Sequence, residues 1–118
     1  MKIGQLFNVS GKVAVVTGGS RGIGEMISAG FLANGVKVYI TARKEEPLVK
    51  KAEELSNKYE GICIPIACDL SSTIGIDYFV KMIHEKEKAI DFLINNAGAA
   101  WGEPLSLIHI SEPTRPYL

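Results

Sequence analysis

Thr17-Gly18-Gly19-Ser20-Arg21-Gly22-Ile23-Gly24 decides how this chain folds. The run before it, Val13-Ala14-Val15-Val16, is continuously apolar, as in a strand buried on both faces. After it, apolar residues recur at helical spacing: Ile23, Ile27, Phe31 and Leu32, with Met26 and Gly30 beside them, predict one inward face. A strand that runs into glycines and then into a helix gathers backbone N–H groups and a positive helix end at one point, which attracts phosphate. The glycines are spaced G-x-x-x-G-x-G rather than G-x-G-x-x-G. The needs they meet are the same: a tight turn, close backbone approach to a pyrophosphate, and close packing of helix on strand.

Working outward, the first strand is expected over 12–17 and the first helix over 23–34, closed by Asn34-Gly35, a pair that tolerates a left-handed helix end. A second strand follows over 36–41, closed by Ala42-Arg43. A second helix over 45–59 has Pro47 in its first turn and Leu48, Ala52 and Leu55 inward. The third strand, 62–67, contains Pro65, which cannot donate to a ladder and so belongs at a sheet edge. Cys68-Asp69-Leu70-Ser71 leaves it. The third helix, 74–88, turns Ile76, Phe79, Val80 and Ile83 inward, with Lys81, Glu85, Lys86, Glu87 and Lys88 read as a solvated face. A fourth strand over 91–95 runs into Asn95-Asn96-Ala97-Gly98.

This alternation predicts an α/β fold with a parallel sheet of four strands in the order 3-2-1-4, three helices and right-handed crossovers. That order places the third strand at the edge. It also brings the glycine loop and the Asn95–Gly98 turn to one crevice, between strands one and four. A flavodoxin-like or receiver-type domain with a glycine turn is the competing fold.

The end of the second strand separates two dinucleotides. A carboxylate there binds the ribose 2′-hydroxyl of NAD. Here Ala42 is followed by Arg43 and Lys44, and a guanidinium attracts a 2′-phosphate with two hydrogen bonds. Arg21 adds a second positive charge from within the loop. NADP is therefore the expected cofactor, the alternative for Arg43 being a solvated surface arginine. Gly18, Gly19, Ser20, Arg21, Gly22, Ile23 and Gly24 are expected at the pyrophosphate. Asp69, with Leu70, is expected at the adenine, its carboxylate either accepting from the amino group or capping Ser71 or Ser72. Asn95, Asn96, Ala97 and Gly98 line the crevice, where the asparagines either contact the adenosine ribose or brace the backbone.

Composition narrows the partners. The 118 residues carry thirteen basic and thirteen acidic side chains, so nothing suggests a nucleic-acid or acidic-membrane partner. No apolar run approaches the ~20 residues of a membrane span, and residues 1–10 do not read as a signal peptide, so a cytoplasmic location is expected. Cys63 and Cys68, the only cysteines, face opposite ways in a regular strand and read as small buried hydrophobes rather than as a disulfide or a zinc set. His84 reads as a surface residue. His109 has no partner that makes it catalytic. Trp101-Gly102 reads either as the start of a substrate loop or as an aromatic lid.

The glycine loop, Asp69-Leu70 and Asn95-Asn96-Ala97-Gly98 together resemble the short-chain dehydrogenase/reductase family, of the single-domain type, over residues 5–104. Within it, Met26-Ile27, Ala42-Arg43 and Trp101-Gly102 resemble 3-oxoacyl-carrier-protein reductases of the rhamnolipid type. The resemblance implies the N-terminal part of a Rossmann fold. It also implies hydride transfer from NADPH to a small-molecule carbonyl substrate, such as a 3-oxoacyl thioester, in a homotetramer. The family's proton donor is a tyrosine in Tyr-x-x-x-Lys, assisted by a serine and an asparagine. The tyrosines here are Tyr39, Tyr59, Tyr78 and Tyr117, and Tyr78 has Met82 where the lysine would stand. The chain is thus expected to hold the cofactor half without the catalytic half, to be inactive alone, and to be marginally stable. A non-catalytic dinucleotide sensor or scaffold is the rival reading. The tail from Leu105 to Leu118 resembles the translation of a sequencing-library adaptor. The expected organisation is a partial NADP-binding domain over 1–104 and a non-native or irregular tail over 105–118.

Overall fold

The computed structural model describes residues 8–96. The expectations for Ala97, Gly98, Trp101, His109, Tyr117 and the tail lie outside these described residues. Seven elements alternate along the chain: β1 (Val13–Thr17), α1 (Gly22–Ala33), β2 (Lys37–Ala42), α2 (Glu45–Lys58), β3 (Cys63–Ala67), α3 (Thr73–Lys86) and β4 (Phe92–Asn95). The strands form one parallel sheet in the order β3-β2-β1-β4. Pro65 therefore sits on an edge strand, in register with Ile40. Its missing N–H costs the ladder nothing there.

Alternate strand residues feed two cores, one on each face of the sheet. On one face Ala14, Val16, Val38, Ile40 and Cys63 pack beneath α1 and α2, against Leu32, Leu48, Ala52 and Leu55. On the other, Val15, Tyr39 and Ile66 pack beneath α3, against Ile76, Phe79 and Ile83. Leu48, Ala52 and Leu55 are the buried residues of α2, as the periodicity predicts. Cys63 belongs to the first core and Cys68 to the rim of the second. Both are free, and burial pushes their thiols up, to about 12 and about 11, so neither is a thiolate at neutral pH.

Two expectations are corrected. In α1 the buried stripe is Gly24, Ser28 and Leu32. Ile27 and Phe31 only flank the core, and Ile23 and Met26 face solvent at 67% and 73% exposure. The cause is steric: the first turn of α1 lies against the glycine loop, where only small side chains fit. Glu87, read as part of a solvated face, is drawn inward, its side chain 11% exposed. It stands at the C-cap of α3, accepting from Lys37 Nζ at 2.8 Å and from the Tyr39 phenol at 2.6 Å. Element ends differ from expectation by one or two residues; α3, for example, runs 73–86 rather than 74–88.

Candidate functional site

The parallel register brings four strand ends to one edge of the sheet. Thr17 pairs with Thr41 on one side and with Asn95 on the other, and Ala42 pairs with Ala67. The glycine loop, Arg43, Asp69 and Asn96 all follow directly from these ends. Clefts at the carboxyl ends of a parallel sheet, between strands whose connections diverge, are where such folds take ligands.

The loop leaves β1 through Gly18 at φ +66°, and Gly22 at φ +57° turns the chain into α1. Both values lie in the left-handed region that side chains disfavour. Gly18 N–H donates to Thr41 O at 3.1 Å, which anchors the loop to β2. Gly24 lies against the loop itself, where a Cβ would run into the Gly18 carbonyl and the Asn96 amide. At Gly19 a Cβ would stand 2.6 Å from Ile40 Cγ2 and 2.8 Å from Ser28 Oγ. Ser28 is fully buried and donates to Gly24 O at 2.9 Å, holding the first turn of α1 from beneath.

The far wall is braced by hydrogen bonds. Thr17 Oγ1 accepts from Asn96 N–H at 2.9 Å and donates toward Ile94 O and Asn95 Oδ1, each at 3.3 Å. Asn96 Nδ2 reaches across to the Gly18 carbonyl at 3.3 Å. Asn96 thus takes the backbone-bracing alternative, and Asn95 remains exposed beside it.

The α1 N-cap is Arg21, whose side chain makes no capping hydrogen bond. The first N–H groups of the helix therefore carry no side-chain cap, the arrangement an anion neutralises. Ser20 is half-buried in the loop, and Arg21 is exposed. Arg43, at the end of β2, is exposed as well. Asp69 is exposed, and hydrogen bonds from the Ser71 hydroxyl and N–H, with the nearby Arg43 charge, hold its carboxyl below the usual range. The capping alternative is thus realised, and the carboxylate stays ionised for a donor. Leu70 turns its side chain into the core beneath α3, 6% exposed.

Sequence reasoning passed over two residues that hold this site, Ser28 and Thr41. Ser28 carries a legible signal, because it lies one helical turn after Gly24. Thr41 acts through a contact with Gly18 that spacing does not reveal. Among the described residues no group of His, Cys, Asp or Glu could hold a metal ion, and no helix is long and apolar enough to cross a membrane.

A glycine cradle, an uncapped helix N-terminus and an exposed arginine just after β2, gathered at the carboxyl edge of a parallel sheet, make up an α/β unit whose residues fit a dinucleotide. The chain belongs to the short chain dehydrogenase family, whose model matches residues 12–115. It is 42% identical over 105 residues to the rhamnolipids biosynthesis 3-oxoacyl-[acyl-carrier-protein] reductase of Pseudomonas aeruginosa, covering 89% of this chain and 40% of that protein. The RhlG/NADP active-site complex from Pseudomonas aeruginosa superposes with a TM-score of 0.73 at 42% identity, over 80% of this chain and 37% of that one. L-sorbose reductase from Gluconobacter frateurii, complexed with NADPH and L-sorbose, superposes with a TM-score of 0.74 at 35% identity, over 83% and 37%. The chain spans about two fifths or less of the length of the curated relatives it matches.

Proposed function

We propose that this chain is the NADPH-binding part of a longer carbonyl reductase. The observation that carries the reading is Arg43, exposed at the C-terminal end of β2 with no carboxylate at Ala42 beside it. The NADP and NADPH complexes of the two structural relatives support the same cofactor.

When bound, the cofactor supplies the hydride. The chain's own residues bind and orient it. The N–H groups of Gly22, Ile23 and Gly24 receive the pyrophosphate, Arg43 and Arg21 pair with the 2′-phosphate, and Asp69 accepts from the adenine amino group. Leu70 supports the adenine end from the core rather than by side-chain contact. Asn96 and Thr17 brace the crevice, with Asn95 exposed beside them, and Ala97 and Gly98 are proposed as further cofactor contacts. Protonation of the substrate oxygen falls to a Tyr-x-x-x-Lys pair that these 118 residues do not contain. The isolated chain therefore binds cofactor without turning substrate over.

A 3-oxoacyl thioester is the proposed substrate, after the activity for which the Pseudomonas relative is named. The whole protein is proposed to be a cytoplasmic homotetramer acting on a small molecule, with no nucleic-acid or membrane partner. Residues 1–104 would belong to its cofactor domain and 105–118 would be non-native. Fluorescence titration with NADPH and NADH tests the core of the proposal. NADPH should bind at least tenfold tighter, and equal affinities would overturn the role of Arg43. A reading frame that continues without Tyr-x-x-x-Lys would instead favour the sensor or scaffold.

A further inference from the structure

Asp69 leaves the sheet just beyond Cys68, whose N–H still donates to Ala42 O at 2.9 Å. Its backbone is held by Ser72, whose N–H and hydroxyl both donate to the Asp69 carbonyl at 3.2 Å. Gly75, in the first turn of α3, packs against that same carbonyl so closely that a Cβ would collide with it. The side chain is held by Ser71, whose N–H donates at 3.0 Å and whose hydroxyl donates at 2.6 Å.

Both Ser71 bonds fall on one oxygen, Oδ1. Oδ2 receives no hydrogen bond from a described residue. A serine hydroxyl has a single proton, and here it is committed to Oδ1. Two donors on one carboxylate oxygen fix the plane of the group and leave the lone pairs of the other free for an incoming donor. The backbone beneath is clamped independently, so Ser71 controls the carboxylate's rotation rather than its position.

We infer that Ser71 is a positioning residue for base selection: by holding Asp69 through Oδ1 it presents Oδ2 to an exocyclic amino group, so the site favours a 6-aminopurine over a 6-oxopurine. The inference rests on the proposed NADPH reading and adds a residue and a selectivity to it. An amino group donates to Oδ2, whereas a 6-oxo group turns an acceptor toward it. A freely rotating carboxylate would distinguish the two poorly.

The test titrates the full chain with NADPH and with its hypoxanthine analogue, deamino-NADPH, following nucleotide fluorescence. The unsubstituted chain should bind NADPH about tenfold more tightly than the analogue, the worth of a hydrogen bond to a charged group. Ser71→Ala should reduce that ratio to about twofold, and Ser71→Thr, which keeps the hydroxyl, should preserve it. Asp69→Asn should collapse it too, so a ratio kept in that variant overturns the inference however Ser71→Ala folds. The NADPH-to-NADH ratio, governed by Arg43, should not change in Ser71→Ala. Equal proportional loss of both purine nucleotides in Ser71→Ala, a merely structural effect, would overturn the inference and leave the NADPH site standing. Failure of the unsubstituted chain to bind NADPH would overturn the reading beneath it.

Discussion

The Tyr39 phenol donates a 2.6 Å hydrogen bond to Glu87 Oε2, tying the middle of β2 to the residue that closes α3. The same oxygen accepts from Lys37 Nζ at 2.8 Å. Tyr39 is 1% exposed, so its hydroxyl has no water to fall back on if Glu87 is removed. Glu87→Ala should therefore destabilise the chain by about 1–3 kcal/mol, the cost of a stranded buried donor. Tyr39→Phe, which removes the donor itself, should cost about 1 kcal/mol. Lys37 is 40% exposed and contributes little as an ion pair. Urea unfolding of the two single variants and the double variant measures the coupling, and independent losses would show that the bond contributes nothing.

The same pair sets a pH dependence. Burial alone would raise the Glu87 carboxyl, but hydrogen bonds from Lys37 and Tyr39 and the Lys37 charge outweigh it and hold the group below its ordinary value. A carboxyl depressed in the folded state stabilises above its unfolded pKa of about 4.3 and ceases to do so as pH falls through the folded value. The Tyr39 phenol is raised, first by burial and then by the bond to Glu87 and its charge. It therefore acts at the other end, where ionisation of the unfolded chain above about pH 10 draws the fold apart. Glu87→Gln should flatten the acid limb of stability between about pH 5 and 3. An acid limb unchanged in that variant would place the sensitivity elsewhere.

What sequence reveals here depends on how local the governing interactions are. Pro65 announces an edge strand because a missing N–H is a property of one residue. Leu48, Ala52 and Leu55 announce the face of α2 because most of the rest of that helix is charged. In α1 the same method points to Ile23 and Met26, because hydropathy rewards large apolar residues while the contact selects small ones. Glu87 is opaque for another reason. Its partners lie 50 and 48 residues earlier, so within its own segment it reads as one charge in a charged run. At the site, the strand–glycine–helix order is legible from residues 13–24 alone and an Asp69 cap over Ser71 or Ser72 from their spacing, whereas the choice of Ser71 and of Oδ1 as its acceptor needs coordinates.

Two glycines on α1 should respond in opposite directions. A Cβ at Gly24 collides with the Gly18 carbonyl and the Asn96 amide. Gly24→Ala should destabilise by about 1–3 kcal/mol and displace the loop, lowering NADPH affinity at least tenfold. Gly30 is exposed on the same helix, and a methyl there would meet nothing within 4 Å. Gly30→Ala should stabilise by about 0.5–1 kcal/mol through helix propensity and a less flexible unfolded chain. Thermal melts of both variants decide the matter, and losses of similar size would refute the packing assigned to Gly24.

Cofactor choice should be movable at the end of β2. Arg43→Ala removes the charge proposed to meet the 2′-phosphate and should weaken NADPH binding about tenfold or more while leaving NADH nearly unchanged. Ala42→Asp adds a carboxylate where one would accept from a ribose 2′-hydroxyl and repel a 2′-phosphate. Together the two substitutions should reverse the NADPH-to-NADH preference. Rising salt should weaken NADPH binding by the unsubstituted chain more than by Arg43→Ala, since the lost interaction is an exposed ion pair. A parallel loss of NADPH and NADH affinity would assign Arg43 to the pyrophosphate or to structure instead.

Apolar surface left outside the two cores should govern how the chain behaves in solution. Ile74 is 82% exposed on α3, with Tyr78 one turn further on and Met26 facing out from α1. β4 pairs with β1 alone among the described residues, and Phe92, Leu93 and Ile94 are only half-buried. A strand edge of this kind is a template for pairing with another chain, and the exposed side chains add apolar area to the encounter. The isolated chain should therefore self-associate as its concentration rises and unfold with poor cooperativity. Ile74→Lys and Met26→Lys remove exposed apolar area without touching either core, so each should change stability by less than about 0.5 kcal/mol while raising the concentration at which light scattering begins. A sharp, concentration-independent melt from a monomer would mean that this surface is too small or too dispersed to drive association.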